Sequence, residues 1–221
     1  MLDSQTLAMM AEGTGATLYM TLMSTLFGYI LGLPMGIILV VTAPKGLRPN
    51  QVAYRILDVI VNITRSIPFL ILMILIMPFT RILVGKTYGT TATIVPLALA
   101  AAPFIARMVE SSLLEVDHGV IEAAQSMGAS LWTIIWKVLL AEARTSLIVG
   151  ATIALGTILG YSAMAGTIGG GGLGDIAMRY GYYRYQADIM IIAVVLLVLL
   201  VQILQVVGMI LSKKLDRRNT R

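Results

Sequence analysis

Long apolar stretches separated by short polar ones set the elements of this chain. No Asp, Glu, Lys, Arg or His occurs from Gly13 to Pro44, nor from Thr145 to Gly174. About 20 helical residues cross a hydrocarbon core, so each run can form a span. The full pattern predicts five spans, at about 18–41, 66–84, 90–106, 146–167 and 189–212. The segment Ala43–Asn50 (APKGLRPN) breaks the helix on both sides. From Val52 to Ile63 apolar positions are interleaved with Arg55 and Asp58, which predicts an interfacial helix leading into the second span. In that span Pro68 stands near the start, where a missing N–H is tolerated, and Pro78 near the far end, where it kinks or stops the helix. The alanine-rich third span carries Pro96 and Pro103 and is expected to be bent and closely packed, with Arg107 and Glu110 returning the chain to water. A loop at 168–187 holds the run Gly169 to Gly172 and Tyr180, Tyr182, Tyr183 and Tyr185, and precedes a last span built almost wholly of Ile, Val and Leu. The fold class is therefore an all-α integral membrane protein, a single transmembrane domain over residues 1–221.

The polar interruption at 108–145 is the longest, and its centre, VIEAAQSMGASLWTIIWKVLLAEA from Val120 to Ala143, reads as helix, break and helix. Asp117 can cap the first helix, and Gly128 can take the left-handed backbone that stops it. Ser130 restarts a second helix in which Leu131, Ile134, Ile135, Val138 and Leu139 share one face, with Lys137 and Glu142 off it. Its placement between spans suggests a docking part.

Composition agrees with the pattern: 58% hydrophobic and 12% charged residues, with a mean hydropathy of +0.89, lie outside the range of soluble domains. Asp3 and Glu12, with no basic residue before the first apolar run, argue against a cleaved signal peptide, so the first span is expected to remain. The net charge of +5 raises nucleic acid as a partner, but membrane topology explains it more simply. With the C-terminus inside and five spans, only Arg81, Lys86, Arg179 and Arg184 of the sixteen basic residues lie outside. The other twelve, including Arg217, Arg218 and Arg221 of the tail, lie inside, which favours N-terminus out and C-terminus in. The 108–145 segment then becomes a cytosolic loop and 168–187 an extracytoplasmic one.

Candidate chemistry is sparse. His118 is the sole histidine, in a polar DHG turn, and cysteine is absent, so no metal-ligand spacing appears. The run IGGGGLGD has no following Lys and is not a P-loop. No ionisable residue sits in a span core, since Arg65, Arg81 and Arg107 fall at ends where they can snorkel. Energy for any transport must come from outside the chain, with no cofactor of its own. Gly28, Gly32 and Gly36 form a GxxxG stripe in the first span, and Gly156 and Gly160 repeat the spacing in the fourth, where small residues let helices approach closely. In the fourth span Tyr161, Ser162 and Met164 combine polar and soft apolar side chains beside Gly160 and Gly166. They are candidates to line a pathway, with packing and a hydroxyl bond to the helix's own backbone as the alternative.

The segment EAAQSMG followed by LLAEA resembles the EAA signature of the membrane subunits of bacterial ABC importers, with Glu122, Ala123, Ala124 and Gly128 on the matching positions. Ala141 stands where that family usually has proline, so the second helix is expected to run on smoothly into the fourth span. GLPMG, RSIPF, AAPFIARMVE and GYSAMAGTIGGGGLGD extend the resemblance over about 17–206 and are similar to the methionine-uptake branch of type I importers. The resemblance implies a permease subunit of an ATP-driven importer in the bacterial inner membrane, not itself an enzyme. It implies a second copy of the chain, a cytosolic ATPase dimer carrying ATP and Mg, and an extracytoplasmic substrate-binding protein. Glu122, Ala123, Ala124 and Gly128 would dock the ATPase, with an i,i+4 contact of Glu122 within its own helix as the alternative. The 168–187 loop would offer its tyrosines to the binding protein or to the lipid interface. Two other readings remain: a permease of this type for another small polar solute, and a passive channel or scaffold subunit.

Overall fold

The structure, a computed structural model, describes residues 3–215, and all of its elements are helical. Asp3 caps α1 (Ser4–Thr42) by accepting the Thr6 N–H at 2.8 Å. At about 1.5 Å per residue this helix is nearly twice the thickness of a hydrocarbon core, so the predicted span 18–41 is only its later part. After the 43–50 turn, α2 (Gln51–Ser66) is capped by Asn50, whose side chain accepts the Ala53 N–H at 3.1 Å.

The second predicted span is not one helix. Pro68 lacks an N–H and holds Ile67 extended (φ −81°, ψ 124°), so the chain bends by 105° between α2 and α3 (Phe69–Leu75). A second break at Ile76 follows, because Pro78 sits in the first turn of a new helix, α4 (Met77–Val84), and does not close the old one. Gly85, with φ 79°, ends α4.

The third span runs further than its pattern suggested. α5 (Thr90–Leu114) passes through Pro96 and Pro103 without a break and continues past Arg107 and Glu110. Glu110 is 8% exposed. Its oxygen accepts from Arg107 Nη1 at 2.6 Å, while Arg107 Nη2 bonds Asp58 and, at 2.9 Å, Asn62 of α2. Ion pairing lets those charges stay in the helix, and it fastens α2 to α5.

Next come α6 (His118–Ser126) and α7 (Leu131–Thr133), which widens into a π-helical stretch (Ile134–Leu139) and closes as α8 (Leu140–Glu142). α9 (Arg144–Ala165) continues through a 3-10 turn (Gly166–Ile168) to α10 (Gly172–Ile176), a second π stretch (Ala177–Tyr182) and finally α11 (Ala187–Leu215). The segment predicted as a 168–187 loop is thus largely helical, folded back by close glycine contacts. A Cβ on Gly166 would lie 2.2 Å from the Asp175 N, and one on Gly174 would lie 2.2 Å from the Ala163 O. Among the described residues four helical runs are long and apolar enough to cross a membrane, and the bent α2–α3 pair makes a fifth if it counts as one span. Arg217, Arg218 and Arg221, counted above as internal charges, lie outside the described residues.

Packing follows the small residues. A Cβ on Gly32 would meet the Ala102 O at 2.5 Å and one on Gly36 the Ala106 O at 2.7 Å, so α5 lies directly on the backbone of α1. Gly28 faces Ala101 and Ile105 in the same seam. The second stripe departs from expectation: Gly156 has only the Gln205 side chain at 3.6 Å, and Gly160 has nothing within 4 Å. On that side of α9 the close approach comes from α11, where a Cβ on Gly208 would lie 2.0 Å from Thr152 Oγ1.

Candidate coupling and transport surfaces

α6 is held by one face and bare on the other. Asp117 caps it by accepting the Gly119 N–H at 2.7 Å. Ala124 is 6% exposed and joins Ile134, Ile135 and Leu139 in a core with Val109 and Leu113 of α5, with Ile121 packed against it. Val120, Glu122, Ala123 and Met127 are exposed. Of the four expected coupling residues, Ala124 therefore anchors the helix, while Glu122 and Ala123 lie on its open side. The Glu122 carboxylate is 3.1 Å from His118 Nδ1, an i,i+4 contact between two exposed side chains. Such a contact contributes little and leaves the carboxylate available to another cation.

Gly128 turns the chain with φ 75°, the left-handed backbone that favours glycine. Ser130 then caps α7, its hydroxyl accepting the Thr133 N–H at 3.3 Å. The predicted apolar face is present, with Ile134, Ile135 and Leu139 buried and Leu131 and Val138 partly so. The smooth run into the fourth span expected from Ala141 is interrupted by one turn residue, Ala143 (φ −78°, ψ −2°), which ends α8 and starts α9. Trp132 and Trp136, 69% and 57% exposed, stand at i,i+4 on the other face, a spacing visible in the sequence.

The three candidate pathway residues separate. Tyr161 stacks on Phe69 with ring centroids 4.7 Å apart, and Ser162, 1% exposed, donates to the Leu159 carbonyl at 2.7 Å. Ser162 thus serves its own helix. Met164, 49% exposed, lies with Val149, Ile153 and Gly160 on the face of α9 that no element of the chain covers.

At the opposite end from α6, the glycine run is tied to the start of α5 and to the interior of α1. The Gly89 N–H donates to the Gly169 carbonyl at 2.9 Å, and the Leu173 N–H donates to Thr17 Oγ1 at 2.9 Å. The run works as a fold-back packed on α1, not as a phosphate loop. Tyr182, Tyr183 and Tyr185 are exposed, whereas Tyr180 is partly buried with Arg184 stacked 4.5 Å from its ring centroid. Among the described residues no group of three or more His, Asp or Glu side chains could hold a metal ion.

The family described as the binding-protein-dependent transport system inner membrane component matches residues 28–221. The chain belongs to that family. Among its relatives, the chain is 51% identical over 210 residues to the probable D-methionine transport system permease protein MetI of Vibrio cholerae, covering 95% of this chain and 93% of that one. It is also 51% identical over 158 residues to the D-methionine transport system permease protein MetI of Escherichia coli K12, covering 72% of this chain and 73% of that one. Its fold superposes on a chain of the inward-facing MetNI methionine ABC transporter with a TM-score of 0.96 and 47% identity, over 98% of this chain and all of that one.

Proposed function

We propose that this chain is the membrane-spanning permease subunit of an ATP-driven importer for methionine, working as a homodimer with a cytosolic ATPase dimer. The observation that carries this reading is the near-complete superposition on the MetNI transporter chain at 47% identity. In this reading the N-terminus lies outside, the C-terminus and α6 lie in the cytosol, and the protein sits in the bacterial inner membrane among lipids. α6 enters a groove on the ATPase, where bare Ala123 allows close approach and Glu122 pairs with a basic residue. ATP and Mg bind the ATPase alone. An extracytoplasmic binding protein delivers the amino acid to the end carrying the glycine fold-back and the exposed tyrosines. Closure of the ATPase dimer draws the two α6 helices together and turns the bundles from inward-open to outward-open.

The test is ATP hydrolysis by the purified permease–ATPase complex in lipid nanodiscs. Stimulation by a methionine-loaded binding protein is the expected outcome. Stimulation by another solute's binding protein, with the methionine-loaded one inert, overturns the substrate assignment, and failure to retain any ATPase overturns the whole reading.

A further inference from the structure

The bend between α2 and α3 opens a cavity of about 260 Å3 lined by Thr64, Arg65, Phe69, Ala100, Phe104 and Tyr161. Its depth is given by its neighbours. Phe69 and Tyr161 share a core cluster with Met20 of α1 and Leu97 of α5, and Ala100 and Phe104 lie midway along α5. Arg65, expected at a span end, is therefore beside the middle of the bundle. It is exposed and makes no ion pair among the described residues, whereas Arg107 two turns away is paired twice. An unpaired guanidinium at that depth is costly unless it faces water or a ligand.

We propose that this cavity is a binding station for an amino-acid zwitterion with an apolar thioether side chain. It rests on the functional reading above and deepens it. Arg65 takes the carboxylate, for which its planar fork is suited. No acidic side chain lines the cavity to compete for it. α2 ends at the same place: the Ile67 N–H takes the Thr64 carbonyl at 3.3 Å, and the 105° bend at Pro68 leaves the Arg65 and Ser66 carbonyls with no next turn to bond. Those carbonyls, at the negative end of the α2 dipole, take the ammonium group. The stacked Phe69–Tyr161 pair and Phe104 form an aromatic wall for the side chain, a surface that thioether sulfur favours. The Thr64 hydroxyl donates to the Ile60 carbonyl at 2.8 Å and is not needed for the ligand.

Equilibrium dialysis of radiolabelled methionine against the purified permease–ATPase complex, without binding protein, tests the assignment. Arg65→Gln should weaken methionine binding about ten- to hundredfold at an unchanged melting temperature. Methioninol, which lacks the carboxylate, should bind the wild type more weakly by a similar factor and should no longer be distinguished by R65Q. Arg65→Lys should recover part of the loss, and norleucine should bind about two- to tenfold more weakly than methionine. If wild-type proteoliposomes take up methionine while the complex binds none, or while R65Q binds as tightly as wild type, the station is overturned and the functional reading stands. Absence of wild-type methionine uptake instead overturns the functional reading.

Discussion

The glycines of α1 and those of α9 recur at the same four-residue spacing and end in opposite surroundings. On α1 the stripe Gly28, Gly32 and Gly36 is closed by α5, whose carbonyls stand where side chains would project. On α9, Gly160 opens into space between exposed Ile153 and Met164. The spacing fixes a smooth helix face but says nothing of what covers it. A closed stripe holds one copy of the chain together. The open one is the face on which, in our reading, a second copy sits and the pathway runs.

Leucine substitution separates these roles most sharply. Gly32→Leu forces a side chain into the α5 backbone, which has no rotamer to yield, and the expected result is loss of a monodisperse folded permease on size exclusion in detergent. Gly160→Leu meets nothing within the chain, so its melting temperature should stay at the wild-type value while cross-linked dimer is lost. A folded Gly32→Leu variant breaks the comparison from one side. A fully dimeric Gly160→Leu variant breaks it from the other.

A smaller effect is expected at the joint between α2 and α5. Arg107→Ala leaves Asp58 and Glu110 without their cation. A fully buried pair would cost more, but these side chains keep 29% and 11% exposure, so the loss should be roughly 2 kcal/mol, read as a lower melting temperature. Arg107→Lys should restore part of it, because it keeps the charge and loses the fork. An unchanged melting temperature in the alanine variant would show that α2 is held by its apolar face alone.

The smallest effect lies at the N-terminal tip of α1. The Thr6 N–H bond holds the Asp3 carboxyl below its ordinary 3.8. A depressed folded-state value means that the cap's contribution is complete above the ordinary value and is lost as pH falls through the lower one. Protection of the Thr6 amide, its exchange rate relative to the intrinsic rate at the same pH, should therefore fall only at acid pH, and Asp3→Asn should remove that dependence. Protection at Thr6 that is equally pH-dependent in the asparagine variant would contradict the cap.

Local signals were legible where the responsible chemistry is local. Asp117, Gly128 and Ser130 mark the start, stop and restart of the α6–α7 unit in the sequence, and each adopts the predicted geometry. The α1 stripe was readable as a face because glycine leaves so few alternatives. Features that depend on distant partners were not. Arg107 read as a boundary because its counter-ion Asp58 is 49 residues away, and only the fold brings them together. Pro78 read as a helix end because a proline that starts a helix and one that stops it look alike without the break at Ile76. The glycines at 169–174 read as a loop because their use, close backbone contact at Gly170 and Gly174 with α9, is tertiary. Of the two possibilities visible for Ser162, the bond to its own helix is present, donated to the Leu159 carbonyl.

The comparison of closed and open surfaces extends to α6, where Ala124 is closed by the bundle and Ala123, one residue away, is open. ATP-driven methionine uptake by proteoliposomes holding the permease, its ATPase and the binding protein tests that difference directly. Ala123→Trp adds bulk only on the open side, so the account predicts normal insertion, a normal melting temperature and no accumulation of methionine. Uptake by Ala123→Trp at the wild-type rate would contradict docking through α6.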